Sequence, residues 1–154
     1  MRPVFSFFTA NPHRKAEANA MFVDARFHLP SSTTEELRRI RPNFGFDGFG
    51  EAVYVRTYSR QKPGGGQEKW ADTTIRSVEG VFSIRKDWHR KMHLPWDESY
   101  WQAYAKEFAF YLARMKFLLP GRGLWAMGTD YVYERGAAAL TNCAAISIKN
   151  DSFP

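Results

Sequence analysis

A chain of 154 residues is long enough to form one domain with a real core. Its 44% hydrophobic content excludes a disordered chain, and its single cysteine excludes an intrachain disulfide or a multi-cysteine metal site. The net charge of +6 and the pI of about 9.6 favour anionic partners such as nucleotides, nucleic acid or acidic surfaces, although ordinary solubility explains the same charge.

The N-terminus, MRPVFSFFTANPHRKAEANA, has an apolar run only from Val4 to Ala10, broken by Ser6. That is too short for a signal sequence. No stretch approaches 18 consecutive apolar residues, so no membrane span is expected. With one thiol and no disulfide framework, a cytoplasmic location fits best. Residues 1–40 read as weakly organised. Within them SSTTEELRRI predicts a short helix from Thr33 or Thr34, ended by Pro42. RPNFGFDGFG (residues 41–50) is rich in turn formers.

AVYVRTYSR (residues 52–60) alternates and reads as a strand or an extended arm. KPGGGQ (residues 62–67) reads as a flexible loop. From Glu68 the period becomes helical through Trp70, Thr74, Val78 and Val81, with Gly80 weakening the helix near its end. The basic run RKDWHRKMH (residues 85–93) follows. Asp97 is a candidate N-cap for the strongest helix signal, the stripe Tyr100, Tyr104, Phe108, Tyr111, Leu112 and Met115. That helix ends by Pro120 and Gly121. GRGLWAMGTDYVYERGAA (residues 121–138) reads as a loop, and CAAISI (residues 143–148) as a buried strand.

Several candidate sites are weak on local grounds. His89 and His93 have the spacing of a zinc pair, but Arg90 stands where a metalloprotease needs Glu, and the neighbouring cations repel a metal. Gly64, Gly65 and Gly66 lack the following Lys-Ser/Thr of a phosphate-binding loop. The glycines around Arg122 permit close backbone approach to a ligand, and Arg122 adds charge. Cys143, in ALTNCAAISI, reads locally as a small buried hydrophobe.

Five blocks in order change that weighting: PNFGF (residues 42–46), RTYSR (56–60), WADTTIR (70–76), MKFLLPGRGLWAMGT (115–129) and ERGAAALTNCA (134–144). Together they resemble the N-terminal part of the adenosylcobalamin-dependent, class II ribonucleoside-triphosphate reductases of the monomeric type. The resemblance covers about residues 42–148.

It implies an α/β fold: a helical N-terminal region leading into the first strand of a ten-stranded α/β barrel. The implied division is a weakly organised segment (1–40), a mostly helical region (41–120), then a substrate loop and first strand (121–154). Cys143 would be one of two thiols that reduce the ribose. Thr141 and Asn142 would lie beside the sugar, and Arg122 and Gly123 on the loop near the phosphates. The implied cofactor is adenosylcobalamin, bound mostly by residues elsewhere. Homolysis would generate a thiyl radical on another cysteine, which takes the 3′ hydrogen. The 2′ hydroxyl leaves as water while Cys143 and its partner become a disulfide. The implied partners are a ribonucleoside triphosphate, a deoxynucleotide effector, thioredoxin and the rest of the reductase polypeptide.

The family cycle needs five cysteines and this sequence has one. The expectation is a fragment that is inactive alone. Two other readings stand beside it: a non-catalytic helical module binding nucleotide or nucleic acid through residues 85–93, and a complementation subunit for a separately encoded barrel.

Overall fold

The computed structural model describes residues 26–141. Cys143, Asn142 and the expected strand at 143–148 lie outside the described residues. Among the described residues the architecture is helical: α1 (Ser31–Arg39), α2 (Phe49–Thr57), α3 (Trp70–Lys91), α4 (Glu98–Ala113), α5 (Gly121–Ala126) and α6 (Asp130–Arg135), with 3₁₀ turns at Phe46–Gly48 and Ala137–Leu140.

Helix α3 is the axis of the fold, and α1, α4 and α5 all pack on it. Its buried face carries Trp70, Thr73, Thr74, Ser77, Val78, Phe82 and Ser83. Helix α4 answers with Ala105, Ala109, Leu112 and Ala113. Small side chains on both faces let the two helices approach closely. Phe27, Leu29 and Leu37 close the core from the N-terminal side. The Phe27 amide donates to Ser83 Oγ at 3.0 Å, and the Leu29 amide to Glu79 Oε1 at 3.0 Å. The described part of residues 1–40 is thus packed on α3.

The stripe read from the sequence of α4 is rotated from the face that is buried. Phe108 and Leu112 do pack inward, but Tyr100, Tyr104 and Tyr111 are about half exposed, at 57%, 50% and 49%. Tyrosine carries an apolar body and a polar tip, so its periodicity marks a broad face without locating the seam. The Asp97 N-cap forms as expected: its carboxylate accepts the Tyr100 amide at 3.1 Å.

Residues 52–60 do not form the expected strand. Most of them lie in α2, which starts after Gly48 in the left-handed conformation (φ 90°). Only Tyr54 is buried in α2. Its ring stacks on Phe44 at 5.2 Å and meets Trp70 edge-on at 5.4 Å. One aromatic anchor needs no alternating face, so period-two alternation is a poor guide here. The triple-glycine loop is a closed turn. Gln61 and Gln67 bridge, and the Lys62 amide donates to Gly66 O at 2.9 Å. Gly65 and Gly66 take positive φ values of 89° and 78° there.

Gly80 does not end α3, which runs eleven residues further to Lys91. The segment expected as a loop after Pro120 instead forms α5 and α6.

Residues 85–93 are largely committed within the fold. Lys86 pairs with Glu98 at 3.1 Å, and Asp87 pairs with both Arg90 and Lys91, at 2.9 and 2.6 Å. Arg85 lies over the rings of Trp88 and Trp101. His89 is buried, with Nδ1 2.9 Å from Pro95 O and its ring against Trp96 and Trp101. His93 lies beyond the helix with a φ of 53°. The two histidines are therefore separated in role, and no cluster of three potential metal ligands occurs among the described residues.

Candidate functional site

The glycine-rich segment 121–129 is held against α3 by a polar seam. Its centre is Arg76, at a position α3 turns towards α5. The Arg76 guanidinium donates to Glu68 through Nε at 2.7 Å and through an Nη at 2.9 Å. The same group reaches forward to the carbonyl oxygens of Leu124 at 2.9 Å and Met127 at 2.5 Å. A planar guanidinium with five N–H donors can serve a carboxylate and two carbonyls at once; a lysine cannot.

Glu68 is braced from behind. Thr73 Oγ1 donates to Glu68 Oε2 at 2.8 Å, and the Tyr54 hydroxyl lies 2.8 Å from Thr73 Oγ1. With the Thr73 proton directed to the carboxylate, Tyr54 is the donor to Thr73. Burial works to raise the Glu68 carboxyl, but hydrogen bonds and charge from Arg76, aided by Thr73, hold it below its ordinary value. Burial raises the Tyr54 hydroxyl above its ordinary value, and the Glu68 charge adds to that. The pair Glu68–Arg76 is thus ionised, and it links α2, α3 and the 121–129 segment.

The seam also depends on two glycines. A Cβ on Gly80 would sit 2.6 Å from Gly128 Cα and 2.9 Å from Met127 Cγ. Gly128 itself has a φ of 75°, and a Cβ there would meet Arg76 Cγ at 2.9 Å. Backbone meets backbone at this crossing, which explains a glycine in the middle of α3. Further contacts fix the flanks. Arg60 donates to Trp125 O at 3.0 Å, and Arg26 lies 3.7 Å over the Tyr133 ring while pairing with Asp130 at 3.5 Å.

The residues singled out in the sequence are placed unevenly. Arg122 is exposed on α5, whereas Gly123 is buried in it. Gly123 O accepts the Met127 amide at 3.0 Å, and a Cβ on it would lie 3.4 Å from Leu119 Cβ. Thr141 is exposed at the end of the described residues, with its amide donating to Ala138 O at 3.1 Å. Cys143 and Asn142 lie outside the described residues. Arg76, Glu68 and Gly80 were not among the candidates that the sequence offered. Trp70 and Arg76 stand in one of the quoted blocks, yet nothing in their spacing reveals that Arg76 reaches residues 124 and 127.

The arrangement has relatives. Residues 29–129 match the family model described as ribonucleotide reductase alpha domain. An adenosylcobalamin-dependent ribonucleoside-triphosphate reductase of Euglena gracilis is 45% identical over 125 residues, which is 79% of this chain and 17% of that protein. A probable adenosylcobalamin-dependent ribonucleoside-triphosphate reductase of Dictyostelium discoideum is 38% identical over 133 residues, covering 83% of this chain and 18% of the relative. The crystal structure of a B12-dependent, class II ribonucleotide reductase superposes with a TM-score of 0.65 at 27% identity, over 76% of this chain and 16% of the other. The chain thus spans less than a fifth of the length of these relatives. With about two thirds of its residues inside the matched region, the chain belongs to the ribonucleotide reductase alpha-domain family.

Proposed function

We propose that this chain is the N-terminal part of an adenosylcobalamin-dependent ribonucleoside-triphosphate reductase, supplying the helical platform and one reducing thiol. The observation that carries the reading is the 45% identity with the Euglena gracilis reductase. The seam of Arg76, Glu68 and Gly80 supports it physically, because it fixes residues 121–129 shortly before Thr141, Asn142 and Cys143 in the chain.

In this reading Arg122 contributes charge toward the substrate phosphates and Gly123 keeps its helix slim where the loop turns. Thr141 and Asn142 lie beside the sugar. Cys143 and a second thiol, from the rest of the reductase, each lose a hydrogen and join as a disulfide. The two electrons and two protons replace the ribose 2′ hydroxyl by hydrogen and release it as water. The balance requires two thiols within bonding distance, and this sequence holds one. The chain alone is therefore inactive in this reading. Thioredoxin resets the disulfide, and a deoxynucleotide effector binds elsewhere in the reductase.

Adenosylcobalamin supplies radical chemistry when bound. The described residues do not fit it. A cleft of about 620 Å³ between α1, α2 and α3 matches one small ligand and not a corrin ring with its two nucleotide-like arms. No step is assigned to it through these residues. No described helix is long and apolar enough to cross a membrane.

The test is a chimera in which this chain replaces the matching segment of the Euglena gracilis enzyme. It should reduce ribonucleoside triphosphates with thioredoxin. In the chimera Cys143→Ser should abolish multiple turnover and leave adenosylcobalamin homolysis intact. Unchanged turnover by Cys143→Ser would remove the assigned role. The nucleic-acid module reading is not favoured, because Lys86, Arg90 and Lys91 are paired with Glu98 and Asp87.

A further inference from the structure

The cleft of about 620 Å³ opens where the end of α1, the turn after it, α2 and the start of α3 meet. None of residues 121–129 lines it. Its size falls within the range of small-molecule sites. One wall is aromatic. Phe44, Tyr54 and Trp70 meet at ring separations of 5.2, 5.7 and 5.4 Å, and Phe44 is the half-buried member that faces outward.

The rim is cationic. Arg41 and Lys69 are exposed on it, and neither makes an ion pair among the described residues. Two other charged groups of the lining are already neutralised: Arg38 by Asp72, and Glu68 by Arg76. Glu51 is the remaining acid, so the available charge is net positive. This contrasts with residues 85–93, where the lysines and arginines are paired or stacked. The start of α3 also opens into the cleft through Trp70 and Ala71, which adds a positive helix end to the two cations.

We propose that this cleft binds a nucleoside phosphate, with the phosphates held by Arg41 and Lys69 and the base against the aromatic wall. An aromatic face beside available cations suits a planar group joined to an anion. The site is separate from the segment assigned to the substrate, and it stands whether or not the reductase reading holds.

The experiment is calorimetric titration of the 154-residue chain with ATP, tripolyphosphate and adenosine. ATP should bind more tightly than either part alone. Arg41→Glu and Lys69→Glu should each weaken ATP binding roughly tenfold, the value of one charge-assisted contact. Both residues are exposed, so the melting temperature should not move; Arg41→Ala and Lys69→Ala provide a milder second pair. Lys116→Glu, exposed and outside the cleft lining, is the control and should leave this binding unchanged. Three results would overturn the proposal: no ATP binding, equal affinity for ATP and tripolyphosphate, or loss of binding in Arg122→Glu with none in the Arg41 and Lys69 variants. The last would assign the nucleotide to the 121–129 segment and leave the reductase reading intact.

Discussion

Arg76 and Glu68 meet through two hydrogen bonds, of 2.7 and 2.9 Å, and the far side of the same guanidinium holds the carbonyls of Leu124 and Met127. The side chains are only 14% and 10% exposed. An ion pair at this depth is costly to break from one side, because the remaining charge stays buried. Arg76→Ala should therefore lower stability by about 3 kcal/mol. Arg76→Lys should recover the charge but not the fork, and fall between the two. Urea unfolding measures both. Hydrogen exchange should show faster opening of residues 121–129 than of α4. An Arg76→Ala chain with wild-type stability would mean the seam holds nothing.

Gly80→Ala offers a test whose sign is informative. In an ordinary helix interior this change gains about 1 kcal/mol. Here the new methyl overlaps the Gly128 backbone. We expect a loss of about 1–3 kcal/mol instead, as in an overpacked core. A raised melting temperature would show that segment 121–129 does not sit against α3 in solution.

Acid should weaken the fold through Glu68 and Asp72. Burial opposes ionisation of both, but Arg76 and Thr73 outweigh it at Glu68, and Lys62, the Lys69 amide and Arg38 outweigh it at Asp72. Both carboxyls therefore titrate below their ordinary values of 4.5 and 3.8. The unfolded chain takes up protons first, so this stabilisation is complete above those values and is lost as pH falls through the lower, folded ones. Glu68→Gln should be less stable at neutral pH and show a flatter acid limb. An acid limb unchanged by Glu68→Gln would exclude this residue as its source.

Tyr54 acts at the opposite end of the scale. Burial raises its hydroxyl above 10.0. Its contribution is intact below that value and is lost as pH rises through the folded one. Tyr54→Phe keeps the ring against Phe44 and Trp70 but removes the bond to Thr73. The expected cost is about 1 kcal/mol at neutral pH. Thermal melts of the two chains at neutral and alkaline pH would check it, since Tyr54→Phe should lose less on going alkaline.

Some of the fold was legible in the residues. The 3.6-residue period marked α3 and α4, and Asp97 declared its cap three residues before the amide it accepts. Other features were hidden because they depend on what lies opposite. Tyr100, Tyr104 and Tyr111 are as periodic as Ala105, Ala109 and Leu112, yet only the second set is buried, because burial depends on the helix packed opposite and not on the period. Gly80 looks like a flaw in a helix until Gly128 is placed against it.

The sequence alone determined the family, through blocks such as GRGLWAMGT and the seven-residue stretch from Trp70 to Arg76, because such blocks carry identity independently of how they pack. Helix periodicity was likewise local, since a backbone repeat needs no partner to be seen. Tertiary structure alone decided that residues 52–57 join a helix, that Arg76 clamps a segment 48 and 51 residues away, and that Arg41 and Lys69 stand beside an aromatic cleft with no ion-pair partner among the described residues. Each of those is a relation between distant parts of the chain, and contact energies at that range have no signature in the local spacing of residues.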